Sequence, residues 1–102
     1  MASSYDLPFQ SLREQISTYS PSTVPILDDL LEQSCPQTAY FAAFIFVCLH
    51  ANAEYHHNKP LSALTVQDFK DFAFFDHAKD DQRAVALFEA ALLAFTNDHE
   101  PD

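Results

Sequence analysis

The sequence predicts an all-α fold, a compact bundle of four to five helices around a central apolar helix spanning about 36–56, and three observations carry that prediction. No glycine occurs in the 102 residues, so the two-residue hairpin turns that join antiparallel strands lose their usual residue, and any positive φ must come from Asn or Asp. Apolar residues recur at three- and four-residue intervals through most of the chain, the period of a helix packed on one face. One run, Ala39 to Leu49, reads A-Y-F-A-A-F-I-F-V-C-L with neither a charge nor a proline, a composition suited to a helix that others cover on most sides. A chain of 102 residues is expected to fold as one domain (1–102), burying about 60 to 70% of the surface its unfolded form exposes.

Residues 1–5 are a short polar lead. Asp6 can cap a first helix that tolerates Pro8 in its opening turn, with Phe9, Leu12, Ile16 and Tyr19 on one face and Arg13, Glu14 and Gln15 outward. Ser20-Pro21-Ser22-Thr23 breaks it, and Ser22 or Thr23 is the expected cap of a second helix. That helix buries Val24, Leu27, Leu30 and Leu31 opposite Asp28, Asp29 and Glu32. Cys35 precedes Pro36, which pushes it out of helical geometry while suiting the first turn of the central helix.

Asn58-Lys59-Pro60 ends the central helix region, and Leu61 to Leu64 connects onward. Thr65 with Asp68 three residues later is a relative of the capping box, opening a helix whose inward face is expected to be Phe69, Phe72 and Ala73. A strand through Phe72 and Phe74 is the alternative, but Lys70 and Asp71 break its period. Asp76 or Asp80 is the expected cap of the last helix, which from Ala84 to Phe95 carries Glu89 as its one polar residue; 96–102 is expected to fray.

Two helices, around 39–49 and 84–95, thus hold more apolar surface than one stripe uses. Phe74, Phe75, Val85 and Leu93 are the residues expected to be left over for a protein partner, since each uncovered phenylalanine forgoes about 1.5 to 3 kcal/mol of burial. A second copy of the chain, a homodimer, is the simplest cover.

Charge limits the partners. The chain has 15 acidic against 5 basic residues and a formal net charge of −10, which repels nucleic-acid phosphates and anionic lipid alike. A membrane span is not expected, because the apolar run is shorter than the roughly 18 residues a bilayer requires and is bracketed by Glu32 and Glu54. The acids Asp28, Asp29, Glu32, Asp68, Asp71, Asp76, Asp80 and Asp81 can instead form a negative face, either simply solvated or imitating a phosphate track that occupies a partner's basic groove. The first nine residues lack a basic-then-apolar leader pattern, and Cys35 and Cys48 lie about 18 Å apart along a helix, too far for a disulfide. Both features predict a cytoplasmic protein with free thiols.

The residues that carry chemistry are few. His50, Glu54 and His57 fall on one helical face, and Glu54-Tyr55-His56-His57 contains an E-x-x-H element of the kind used by carboxylate metal sites. Residues seven apart on a helix are about 10.5 Å apart, however, so a single ion cannot easily take both histidines, and no second E-x-x-H supplies the missing ligands. Solvated histidines at a negative helix end are the plainer reading. Cys48 sits in the most apolar run, where a thiol is inert. Cys35 is better placed, just before a helix N-terminus, but no base is legible beside it. Phosphate loops, nucleophile elbows and dinucleotide fingerprints all require glycine. The sequence therefore predicts a non-enzymatic protein-protein interaction module without cofactor, a small acidic regulator, adaptor or assembly factor.

Overall fold

A computed structural model describes residues 6–52 and 63–99, and the described chain is all-helical: α1 (Asp6–Tyr19), α2 (Val24–Gln33), α3 (Pro36–Ala51), a 3₁₀ turn (Val66–Phe69), α4 (Ala73–Ala78) and α5 (Gln82–His99). The all-α bundle expected from the sequence is the observed architecture. α3 lies at its centre and touches each of the other helices, α1 and α2 most extensively, while α5 packs chiefly along α2. No described residue has positive φ. Without glycine, the helices stop by other means: Ser34 turns the chain at φ −125°, ψ −125° after α2, and Asn52 closes α3 by donating from Nδ2 to the Cys48 carbonyl at 2.8 Å. α3 accordingly ends at Ala51, short of the expected residue 56.

The core holds Phe9 and Ile16 of α1, Leu27 and Leu30 of α2, Ala39, Ala42, Ala43, Ile45 and Phe46 of α3, and Phe88, Leu92 and Phe95 of α5. Its centre is Phe88. That ring stacks on Phe46 (centroids 5.3 Å) and Phe74 (4.8 Å) and takes Phe69 (5.8 Å) and Phe75 (5.4 Å) edge-on. Offset-stacked and edge-to-face pairs of this kind add about 0.5 to 1.5 kcal/mol each to plain burial.

This cluster overturns one expectation. Phe69 is buried as expected, but Phe72 and Ala73 face outward, and Phe74 (0% exposed) and Phe75 (9%) turn inward. The 3₁₀ turn ends at Phe69, and Phe72 at φ −82°, ψ 155° is extended; this break resets the helical phase, so a face extrapolated from Thr65 onward comes out wrong. The apolar excess of α5 is likewise smaller than it looked. Its buried residues Ala84, Phe88, Ala91, Leu92, Phe95 and Thr96 form one regular stripe, and its exposed side holds Ala86 and Ala90, small residues that favour the helix and leave little apolar area in water.

Polar ties fix the ends. The expected caps of α2 are otherwise engaged: Thr23 makes no capping bond and its buried hydroxyl pairs with Ser20 Oγ at 2.6 Å. Asp98 accepts from Ser20 Oγ (2.9 Å), the Ser22 amide (3.3 Å) and Ser22 Oγ (3.3 Å), so residues 96 to 99 are helical and Asp98 is tied down rather than frayed. The cap of α5 is Asp81, not Asp76 or Asp80, with the Ala84 amide donating to Asp81 Oδ1 at 3.1 Å. Arg13 and Asp28, both expected to face solvent, form a two-pronged ion pair between α1 and α2 at 2.8 Å for each prong; the bond to Asp28 raises the arginine's pKa. Pairs this exposed contribute about 0.2 to 1 kcal/mol.

Phe88→Ala should lower unfolding stability by about 3 to 5 kcal/mol in urea denaturation, whereas Leu93→Ala on the exposed side of the same helix should cost about 0.5 kcal/mol or less. Asp98→Ala removes the acceptor of three bonds and should cost about 1 to 2 kcal/mol, with the loss seen as faster amide exchange at Ser22.

Candidate functional site

Because Phe74 and Phe75 are drawn into the core, Phe72 is left on the outside of the chain, where it meets the second stripe of α3. The buried stripe of that helix is Thr38, Ala39, Ala42, Ala43, Ile45, Phe46 and Leu49. The flank beside it carries Tyr40, Phe41, Phe44, Val47 and Cys48, none of them fully covered. Phe44 is 47% exposed and Phe72 40%. With Tyr40, Phe41, Ile45, Ala73 and Phe74 they line a cavity of about 230 Å³ that contains no charged side chain. A second cavity of about 300 Å³ continues past Ile45 and Phe72 to Cys48, Leu49, Asn52, Leu64, Asp68 and Phe69. The two make an aromatic groove along α3 and residues 72–74. A further depression, about 580 Å³, lies between Leu64–Gln67 and the outer side of α5, where Leu93 is 64% exposed. It offers aliphatic and polar groups but no ring.

The sequence-predicted partner residues are thus separated. Phe74 and Phe75 are core residues packed on Phe88 and are not available in this form of the chain; Val85 is half-buried against the core, and Leu93 is exposed. Phe44 and Phe72 are exposed in their place: Phe44 lies within a run whose composition reads as buried throughout, and the helical period from Thr65 puts Phe72 on the inward face.

At the α4 end of the groove, Phe41 sets its ring edge-on to His77 at 6.2 Å. His77 Nε2 is 3.2 Å from Cys35 Sγ, and Thr38 Oγ1 is 3.1 Å from the same sulfur. Cys35 is the extended residue before α3, at φ −136°, ψ 161°. Ser34 beside it bonds Asp81 at 3.3 Å, which holds this corner against the start of α5. Burial raises the thiol pKa, but hydrogen bonds with Thr38 and His77, the Thr38 amide and the imidazole's charge together outweigh it and bring the thiol down from 9.0 to about 7. The base that the sequence did not reveal is 42 residues away along the chain, and only the path of α4 brings it there.

The other predicted residues do not assemble. His50 is exposed and lies flat on Tyr19, with centroids 3.6 Å apart and planes at 2°; burial, with Cys48 adding to it, pushes the Tyr19 phenol up to about 12. Glu54 and His57 lie outside the described residues. Among the described residues no group of three or more His, Cys, Asp or Glu is arranged to hold a metal ion, and no helix is long and apolar enough to cross a membrane. Of the acids, Asp28 pairs with Arg13, Asp68 accepts from the Thr65 amide at 2.7 Å, and Asp81 caps α5. Asp29, Glu32, Asp71, Asp76 and Asp80 are exposed.

The chain matches no protein-family model, no curated protein and no solved structure with which it was compared. Its chemistry is therefore read from its own groups.

Phe44→Ser and Phe72→Ser should each cost only about 1 kcal/mol in thermal or urea unfolding, because about half of each ring is already in water. A loss as large as that of Phe88→Ala would show that these rings are core.

Proposed function

We propose that the protein is a non-enzymatic interaction module, a small acidic regulator or adaptor, whose groove between α3 and α4 takes an apolar side chain from a protein partner whose neighbouring residues are basic. One observation carries this reading: Phe44 and Phe72, 47% and 40% exposed, both line a cavity of about 230 Å³ without a charge in its lining. Aromatic residues around a pocket are the usual source of strong contacts at protein interfaces. Asp71 and Asp76, both exposed, flank the groove residues in sequence, and the net charge of −10 speeds encounter with a cationic partner.

The same charge disfavours a second copy as the occupant, since a two-fold pair across the groove brings like acids together. A phosphate-mimicking track draws less support, because Asp28, Asp68 and Asp81 are engaged within the chain. A cytoplasmic setting fits two free thiols and stays part of the proposal.

The test is calorimetric titration with synthetic helical peptides that carry a Phe or Leu anchor between lysines and arginines. The expected outcome is a Kd of about micromolar, weakening several-fold from low to physiological salt and by about tenfold or more in a Phe44→Ser/Phe72→Ser variant, with no binding when the basic flanks are replaced by glutamates. Equal affinity in wild type and the double variant would refute the groove. A dimer in sedimentation equilibrium that the double variant dissolves would assign the groove to a second copy and refute the basic partner.

A further inference from the structure

We propose that Cys35 is a site of oxidative modification, a thiolate paired with His77 that reacts with a hydroperoxide to form a sulfenic acid and then takes a small soluble thiol as a mixed disulfide. The argument starts from placement. A thiol becomes a nucleophile when a base or cation stands within hydrogen-bond reach, and Cys35 Sγ has the His77 ring nitrogen at 3.2 Å, from a different helix, and the Thr38 hydroxyl at 3.1 Å. Pro36 in the first turn has no amide hydrogen, so the free amides of the α3 N-terminus that can serve the sulfur begin after it. Cys35 is half-buried and His77 exposed, which leaves the sulfur open to a molecule as small as a peroxide.

The charged groups around the pair are accounted for. On the chain bearing His77, Asp76, Lys79 and Asp80 are exposed, and Asp81 is taken up by Ser34 and the α5 amide. On the α3 side, Pro36, Gln37 and Thr38 carry no charge. Among the described residues Cys48 has no such partner: it lies toward the far end of α3, about 18 Å away, well beyond disulfide reach.

The chemistry balances with two reactants from solution. The thiolate attacks the distal oxygen of a hydroperoxide; an S–O bond forms, the O–O bond breaks, sulfur gives up two electrons and the peroxide is reduced. The departing alkoxide, or hydroxide from hydrogen peroxide, takes up the proton given up by the thiol and leaves as alcohol or water. A small thiol then attacks the sulfenic sulfur, forming S–S and releasing water. Since Cys48 is out of reach, the resolving thiol must be external. Nothing in this chemistry depends on what the groove holds.

The test is the rate of iodoacetamide alkylation of the full chain against pH, each cysteine followed by peptide mass spectrometry. Cys35 should titrate with a midpoint near pH 7, as its thiol pKa of about 7 requires, since alkylation follows the thiolate fraction. At pH 7 about half of it is thiolate against about 1% of a thiol of pKa 9, while its lower basicity costs about tenfold in intrinsic nucleophilicity, so a net advantage of about fivefold over an ordinary exposed thiol is expected. His77→Gln should move the midpoint upward with far-UV circular dichroism unchanged. Hydrogen peroxide followed by glutathione should then place the adduct on Cys35 and leave Cys48 unmodified, and Cys35→Ser should abolish it. A wild-type midpoint near 9, or equal peroxide labelling of both cysteines, would overturn the site, and neither measurement needs a variant to fold. A His77→Gln profile that superimposes on wild type would overturn the pairing.

Discussion

The fold depends on the seat of Phe88. Four rings from three separate segments close on it: Phe46 from α3, Phe69 from the 3₁₀ turn, and Phe74 with Phe75 from α4. The segment from Thr65 to Ala78 contains only one turn of 3₁₀ helix and a six-residue helix, each too short to be stable alone. Burying three of its phenylalanines against one ring supplies what local propensity cannot. The outward position of Phe72 and the approach of His77 to Cys35 both follow from the phase this burial imposes on α4. The groove and the thiol pair are therefore products of the same packing event.

Much of the architecture was legible because it rests on local chemistry. Pro36 and the break at 20–23 set the starts of α3 and α2, and the stripes Phe9/Ile16 and Leu27/Leu30 are regular enough to read directly. What was not legible shares a physical cause: each feature depends on a contact between segments distant in sequence. Arg13 and Asp28 looked solvated on their own helices and meet across the α1–α2 corner. Asp98 looked like part of a loose tail until the serines of the 20–23 turn come to it. Periodicity also fails where it is interrupted, and the extended residue Phe72 interrupts it at the place that decides which phenylalanines are inside.

Alanine misled in a second way. Counted as apolar, Ala86 and Ala90 made α5 appear greasy on all sides, although an outward alanine exposes little area and favours the helix. α3 is a different case. Three of its alanines, Ala39, Ala42 and Ala43, are fully buried alongside Phe46, while its rings Tyr40, Phe41 and Phe44 lie on the flank. A helix apolar all round can thus have one face closed in the core and another left open with aromatic residues. Of the candidate site, the sequence showed Cys35 at the head of a helix and an apolar excess, but neither the imidazole beside the thiol nor the rings that hold the excess.

The most direct measurement is the set of through-space proton contacts of the Phe88 ring in solution by NMR. Contacts from Phe88 to the rings of Phe46, Phe69, Phe74 and Phe75, with Phe44 and Phe72 absent from that set and His77 close to Cys35, are expected. Phe72 against Phe88 with Phe74 in solvent would contradict the packing, and with it the origin of both the groove and the thiol pair.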